Sequence, residues 1–206
     1  MSRLLLIFLK FPVPGRVKTR LAAETGPEEA AQIYRKLVQS VFQSAGRSEG
    51  TSLRVDFDPP SKAAEIEEWI RGLGLTDCRF RAQAEGDLGD RLISAFTAGF
   101  DEGHDQIAVI GTDSPEISTQ HISTAWQAMD DGADLVFGPA LDGGFYLFAA
   151  SCREHVAALE GIRWSQPDTL EQCMAKANAR SWSVSLLEPL RDIDTLADWN
   201  AYLANK

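Results

Sequence analysis

The sequence predicts an α/β fold, a mostly parallel sheet with helices on both faces, and three observations predict it. Apolar runs of strand length alternate with amphipathic stretches of helix length along the chain. The run at residues 3–9 (RLLLIFL) is continuously apolar at its centre, as is QIAVI at 106–110, the pattern of strands covered on both faces. Polar, glycine- and proline-bearing loops follow these strands, at the sheet edge where open α/β folds hold ligands.

The elements follow in order. After the first strand, KFPVPGRVKTR carries Pro12, Pro14 and Gly15, which break either regular structure, so it is read as a loop. Apolar positions at Ala30, Ile33, Tyr34, Leu37, Val38, Val41 and Phe42 give residues 27–44 a helical period. Pro27, Glu28 and Glu29 suit its start. Residues 52–57 alternate like a strand; Ile66, Trp69, Ile70 and Leu73 mark a second helix, and 78–83 an edge strand. Leu92, Ile93, Phe96 and Phe100 mark a third helix, followed by the strand at 106–110 and a helix over 118–130. Strands at 134–138 and 144–149, helices near 167–179 and 194–203, and a strand at 182–187 complete the chain. No internal repeat or long linker interrupts this order, so residues 1–206 are assigned to one domain.

Bulk composition narrows the function. The formal net charge of −10 repels nucleic-acid phosphates and disfavours a DNA- or RNA-binding module. Yet residues 1–23 hold Arg3, Lys10, Arg16, Lys18 and Arg20 and no acidic residue, which reads either as a solvated face or as a cationic pocket for an anionic ligand. Cys78, Cys152 and Cys173 are far apart and odd in number, against a disulfide scaffold or structural zinc. The apolar run Leu4–Leu9 is too short for a membrane span and has no small-residue cleavage site after it, so cytoplasmic residence is the default expectation.

The loops carry the chemistry. In the first, Gly15 lets backbone amides approach an anion, and Lys10, Arg16, Lys18 and Arg20 supply charge for a diphosphate. It is not a P-loop, because Val17 precedes Lys18 and Pro12 stands where the other required glycine belongs. In the second, Gly111-Thr112-Asp113-Ser114-Pro115, a strand-end carboxylate suits a hard cation, Mg2+ or Mn2+, though Asp113 equally suits the cap of the following helix. In the third, Asp142-Gly143-Gly144 reads both as a hairpin turn and as a ligand loop whose glycines admit a phosphate. Gly86-Asp87 and Arg91 form a helix start that either caps or lines a nucleotide pocket. Near the end, Asp194 either caps the last helix or, like Asp192, reaches a metal. His104, His121 and His155 lack ligand spacing and read as structural or surface groups, and Trp164 sits in an unpatterned loop.

The strings FLKFPVPGRVKTRLA, AEGDLGDRL, IGTDSPEIS, LVFGPALDGGFYLF, IRWSQ and DIDT, in this order over about residues 3–200, resemble the DUF2064 family, also called the rSAM/selenodomain-associated transferase 1 family. The resemblance implies a GT-A-like (Rossmann-like) three-layer sandwich of the nucleotide-diphospho-sugar transferase superfamily. More distantly the chain is similar to the nucleotidyltransferases of molybdenum-cofactor guanylylation. That likeness implies phosphate contacts for Lys18 and Arg20 and metal binding for Asp113. Prolines replace much of the glycine-rich opening loop of those relatives, and Gln166 stands where threonine is expected.

Three functions follow as expectations. The first is metal-dependent glycosyl transfer from a nucleotide sugar to a small-molecule acceptor, with Lys18 stabilising the departing diphosphate and Asp142 as the base. The second is nucleotidyl transfer from an NTP to a phosphorylated substrate, which needs no base. The third is a non-catalytic nucleotide sensor.

Overall fold

The computed structural model describes residues 1–46 and 50–204. The strands are β1 (Arg3–Lys10), β2 (Thr51–Asp58), β3 (Arg79–Ala82), β4 (Gln106–Ile110), β5 (Leu135–Pro139), β6 (Phe145–Ala150) and β7 (Val184–Leu186). The helices are α1 (Thr19–Thr25), α2 (Pro27–Ser44), α3 (Ala63–Gly72), α4 (Leu88–Asp101), α5 (Thr119–Asp130), α6 (Thr169–Ala179) and α7 (Leu196–Ala204). Short 3-10 turns lie at Pro60–Lys62 and Arg153–Leu159.

Among the described residues, seven strands join one sheet in the order β3-β2-β1-β4-β6-β5-β7. Only β6 runs against the rest, pairing antiparallel with both β4 and β5. The cause is local: the five residues 140–144 join β5 to β6, and so short a connection permits only an antiparallel neighbour. Helices cross over between the parallel strands.

Side chains alternate along β1 and divide between two cores. Leu5, Ile7 and Leu9 face the layer containing α2, α3 and α5, whereas Leu4 and Leu6 face the layer of α4 and α6. Each of these five is at most 1% exposed, and burying each contributes roughly 1.5–3 kcal/mol relative to exposure. A helix–sheet–helix sandwich follows, as the sequence predicts.

Four differences from the sequence reading are local. The opening loop ends at Lys18 rather than Arg20, because α1, only seven residues long, is too short to show a period. The 3-10 turn at Arg153–Leu159 has no periodic signature, and the last strand is trimmed to three residues. In β2, Arg54 and Asp56 are 2% and 1% exposed, although alternation suggested a polar outer face. α4 covers that face, and the two side chains pair beneath it. Among the described residues, no helix is long and apolar enough to cross a membrane.

Candidate functional site

β1 and β4 are parallel neighbours, in register from Arg3–Gln106 to Ile7–Ile110, so the loops leaving their carboxyl ends emerge side by side. Lys18 closes the first loop as the residue before α1, with a left-handed backbone (φ 47) uncommon for a side chain with a Cβ. Its ammonium lies 2.6 Å from Asp113 Oδ1 and 2.9 Å from Asp194 Oδ1. Burial alone would pull its pKa down, but the two carboxylates outweigh that and hold it above the ordinary lysine value. The carboxylates themselves are open: the side chains of Asp113 and Asp194 are 49% and 37% exposed, against 4% for Lys18.

The loops are tied together beneath this cluster. Tyr34 of α2, fully buried in the helix layer, accepts a hydrogen bond from Lys10 N (3.2 Å) and shares one with Thr112 Oγ1 (2.8 Å). Burial, with Asp113 nearby, pushes the Tyr34 phenol up to about 12, so it stays neutral and serves as a brace. Ile193 N donates to Asp113 O at 2.9 Å, which fixes the segment holding Asp192 and Asp194 against the β4 loop. Ser114 Oγ donates to Asp192 Oδ1. Burial raises the Asp192 carboxyl to about 6; the Ser114 hydroxyl opposes this, and the charges of Asp113 and Asp142 add to it. Asp142 therefore belongs to the same electrostatic neighbourhood. Its loop is held there by Leu141 N donating to Leu190 O at 3.1 Å.

The other candidates divide sharply. Lys10 and Arg16 are exposed, and among the described residues their side chains have no hydrogen bond or ion pair, so both cations are available. Gly15 is exposed with φ 75, and Arg20 reaches Asp194 only at 3.6 Å with a side chain 76% exposed. Gly143 and Gly144 do not offer their amides to a phosphate: Gly143 N donates to Ala140 O at 3.1 Å and Gly144 N to Asp142 Oδ1 at 2.9 Å. Gly143 is required instead by packing, since a Cβ there (φ 92) would lie 1.8 Å from Pro167 O. Asp87 caps α4 in a reciprocal box with Asp90, and a Cβ at Gly86 would strike that Asp90. Arg91 is held by Gly86 O (3.2 Å) and Gln83 Oε1 (3.2 Å), with Asp58 at 3.7 Å, so its guanidinium braces the loop.

Two capping assignments are corrected. Asp113 does not cap α5: Ser118 is the cap residue, its amide donating to His121 Nδ1 at 3.1 Å. Asp194 does not cap α7 either, because Thr195 and Asp198 bond reciprocally at that helix start. Both carboxylates are thereby free to face Lys18. Sequence reading passed over Tyr34, whose helical period marks only a core position, and Ser114, hidden beside the more conspicuous aspartate.

The donor set bears on a divalent cation. Two hard carboxylates meet at the Lys18 ammonium, with further cations on the same loop for the oxygens of a phosphorylated ligand. Magnesium is usually held by one or two carboxylates with phosphate oxygens and water completing its shell. The residues fit that arrangement. Among the described residues no three histidine, cysteine or acidic groups form a metal cage by themselves.

A crystal structure from Desulfovibrio desulfuricans, assigned to the nucleotide-diphospho-sugar transferases, is 31% identical over 100% of this chain and 89% of its own, with a TM-score of 0.89. A CMP:2-keto-3-deoxy-manno-octonic acid synthetase complexed with CTP matches at 15% identity and TM-score 0.62, over 100% of this chain and 98% of its own. The 4-diphosphocytidyl-2C-methyl-D-erythritol synthase of Anaerococcus prevotii matches at 12% identity and TM-score 0.66, over 98% and 96%. These two share the fold. No curated protein matches the chain. The sheet and its relatives define a transferase of GT-A-like fold. The family model described as an uncharacterized protein conserved in bacteria matches residues 41–166, and the chain belongs to that family, DUF2064.

Proposed function

We propose that the protein transfers a sugar from a nucleotide-diphospho-sugar to a hydroxyl-bearing small-molecule acceptor, with Mg2+ or Mn2+ held by Asp113 and Asp194. The observation that supports this is the Lys18–Asp113 ion pair at 2.6 Å, which joins the cationic loop to the strand-end carboxylate.

The bound ion would supply fixed positive charge at the diphosphate. Lys18, with the free cations of Lys10 and Arg16 and the loosely paired Arg20, stabilises the negative charge that develops on the leaving group. The acceptor oxygen bonds to the anomeric carbon. The bond from that carbon to the diphosphate oxygen breaks, and its electron pair leaves with the nucleoside diphosphate. Asp142 takes the hydroxyl proton in an inverting reaction: one of its oxygens is held by Gly144 N and the other remains free.

A second reading, nucleotidyl transfer from an NTP to a phosphorylated substrate, is favoured by the number of loop cations, since Lys10, Arg16, Lys18 and Arg20 also suit a triphosphate. Thermal-shift measurement in Mn2+ with a panel of NTPs and nucleotide sugars separates the two. Stabilisation by nucleotide sugars and their diphosphates is expected. Stabilisation by NTPs alone would replace the first reading with the second.

A further inference from the structure

The turn carrying Asp142 leads into a groove of about 480 Å3 on the outer face of α6. Leu170, Met174 and Asn178 stand four residues apart along the helix, a spacing that aligns side chains on one face. Glu171 lies beside them, and Pro167 and Gly143 close the upper end. Leu170 N donates to Gly143 O at 3.0 Å, and the missing Cβ of Gly143 admits Pro167, so the groove's head is clamped to the Asp142 turn. Gly143, the residue after Asp142, thus forms part of the groove's wall.

Its chemistry is one-sided. No lysine or arginine lines it, and Glu171 is its one charged wall residue. Arg163, on the neighbouring loop, is engaged with Asp168 at 2.6 Å. Asp142, the residue before Gly143, brings an exposed carboxylate to the same turn. A phosphorylated molecule needs cationic or amide donors to replace its water, and here it would meet carboxylates instead. Lys10 and Arg16, the free cations of the β1 loop, are not among the residues that line it.

We infer that this groove is the acceptor subsite and that the acceptor is an uncharged, hydroxyl-bearing molecule with an apolar flank. Its apolar side lies against Leu170 and Met174, and the reacting hydroxyl lies at Asp142. The inference rests on the sugar-transfer reading and sharpens it, because a phosphorylated acceptor belongs to the alternative reaction.

The test uses phenyl β-D-glucoside and glucose 6-phosphate as probes, with binding to the full chain followed by saturation-transfer NMR. The glucoside is expected to bind at least tenfold more tightly. Met174→Trp fills the groove and should weaken the glucoside at least tenfold. Glu171→Lys, on the solvent face of α6, should leave the fold intact and reverse the preference. Nucleotide affinity is measured by calorimetry on the same samples. Absent nucleotide binding in the wild type would sink the sugar-transfer reading. Glucoside binding that Met174→Trp leaves unchanged, absence of binding by either probe, or tighter binding of glucose 6-phosphate to the wild type would overturn the acceptor assignment.

Discussion

Two charge clusters among the described residues are built differently. Under α4, Arg54 is bound by Asp56 at 2.7 Å, by Glu102 at 3.0 Å and by Ala95 O at 2.8 Å, while Arg79 reaches Glu102 at 2.9 Å. Two arginines meet two carboxylates there, and the central pair is almost wholly buried. At the carboxyl end of β1 and β4, Lys18 and Arg20 face Asp113 and Asp194, with Asp192 as an additional carboxylate nearby. There the lysine is buried and the carboxylates are open. The first cluster is balanced, with its Arg54–Asp56 pair closed off and Glu102 and Arg79 partly exposed at its rim, and its charges serve the fold. The second has an acidic excess, solvent access and unpaired cations beside it, which is an arrangement that can take in a cation and an anion together.

The contrast can be broken from either side. The largest effect is expected at the closed cluster. Arg54→Ala leaves Asp56 buried without its partner and should cost about 3–5 kcal/mol, read as a fall in thermal midpoint of roughly 10 °C. The residual folded protein should still bind nucleotide; parallel loss of nucleotide affinity in folded samples would show that the two clusters are not independent. Next comes Lys18→Ala. It should weaken nucleoside diphosphate about 100-fold, near 2.7 kcal/mol, and the free nucleoside much less. Equal losses, measured by calorimetry, would mean that Lys18 does not read phosphate. Smallest is Arg20→Ala, whose side chain is mostly exposed and pairs only at 3.6 Å. A loss of about threefold, under 1 kcal/mol, is expected, and a loss as large as that of Lys18→Ala would put Arg20 rather than Lys18 at the centre of the anion site.

The same contrast explains what the sequence makes legible. β1, α2 and β4 follow from local apolar pattern, and α2 begins and ends at the predicted residues 27 and 44. The meeting of the basic loop with Asp113 follows from one topological rule, that neighbouring parallel strands bring their following loops to one edge. Asp194 is harder to place, since it joins Lys18 across 176 residues of chain and its local sequence equally suits a helix cap. The burial of Arg54 is invisible for a similar reason: an alternating strand reads as half exposed until α4 is seen to cover its polar face. Gly143 and Gly144 mislead because glycine marks close approach without saying to what. At Gly143 the approaching group is the backbone of Pro167, and at Gly144 it is the Asp142 carboxylate.

The proposed transfer requires the open cluster to hold a divalent cation and a nucleotide at once. Calorimetric titration of nucleoside diphosphate into wild type and Asp113→Ala, each with and without Mn2+, tests this most directly. Tight Mn2+-dependent binding in the wild type is predicted, with a loss of at least 100-fold in the variant and an unchanged thermal midpoint, because Asp113 is half exposed. Equal Mn2+-dependent affinity in the two proteins would contradict it.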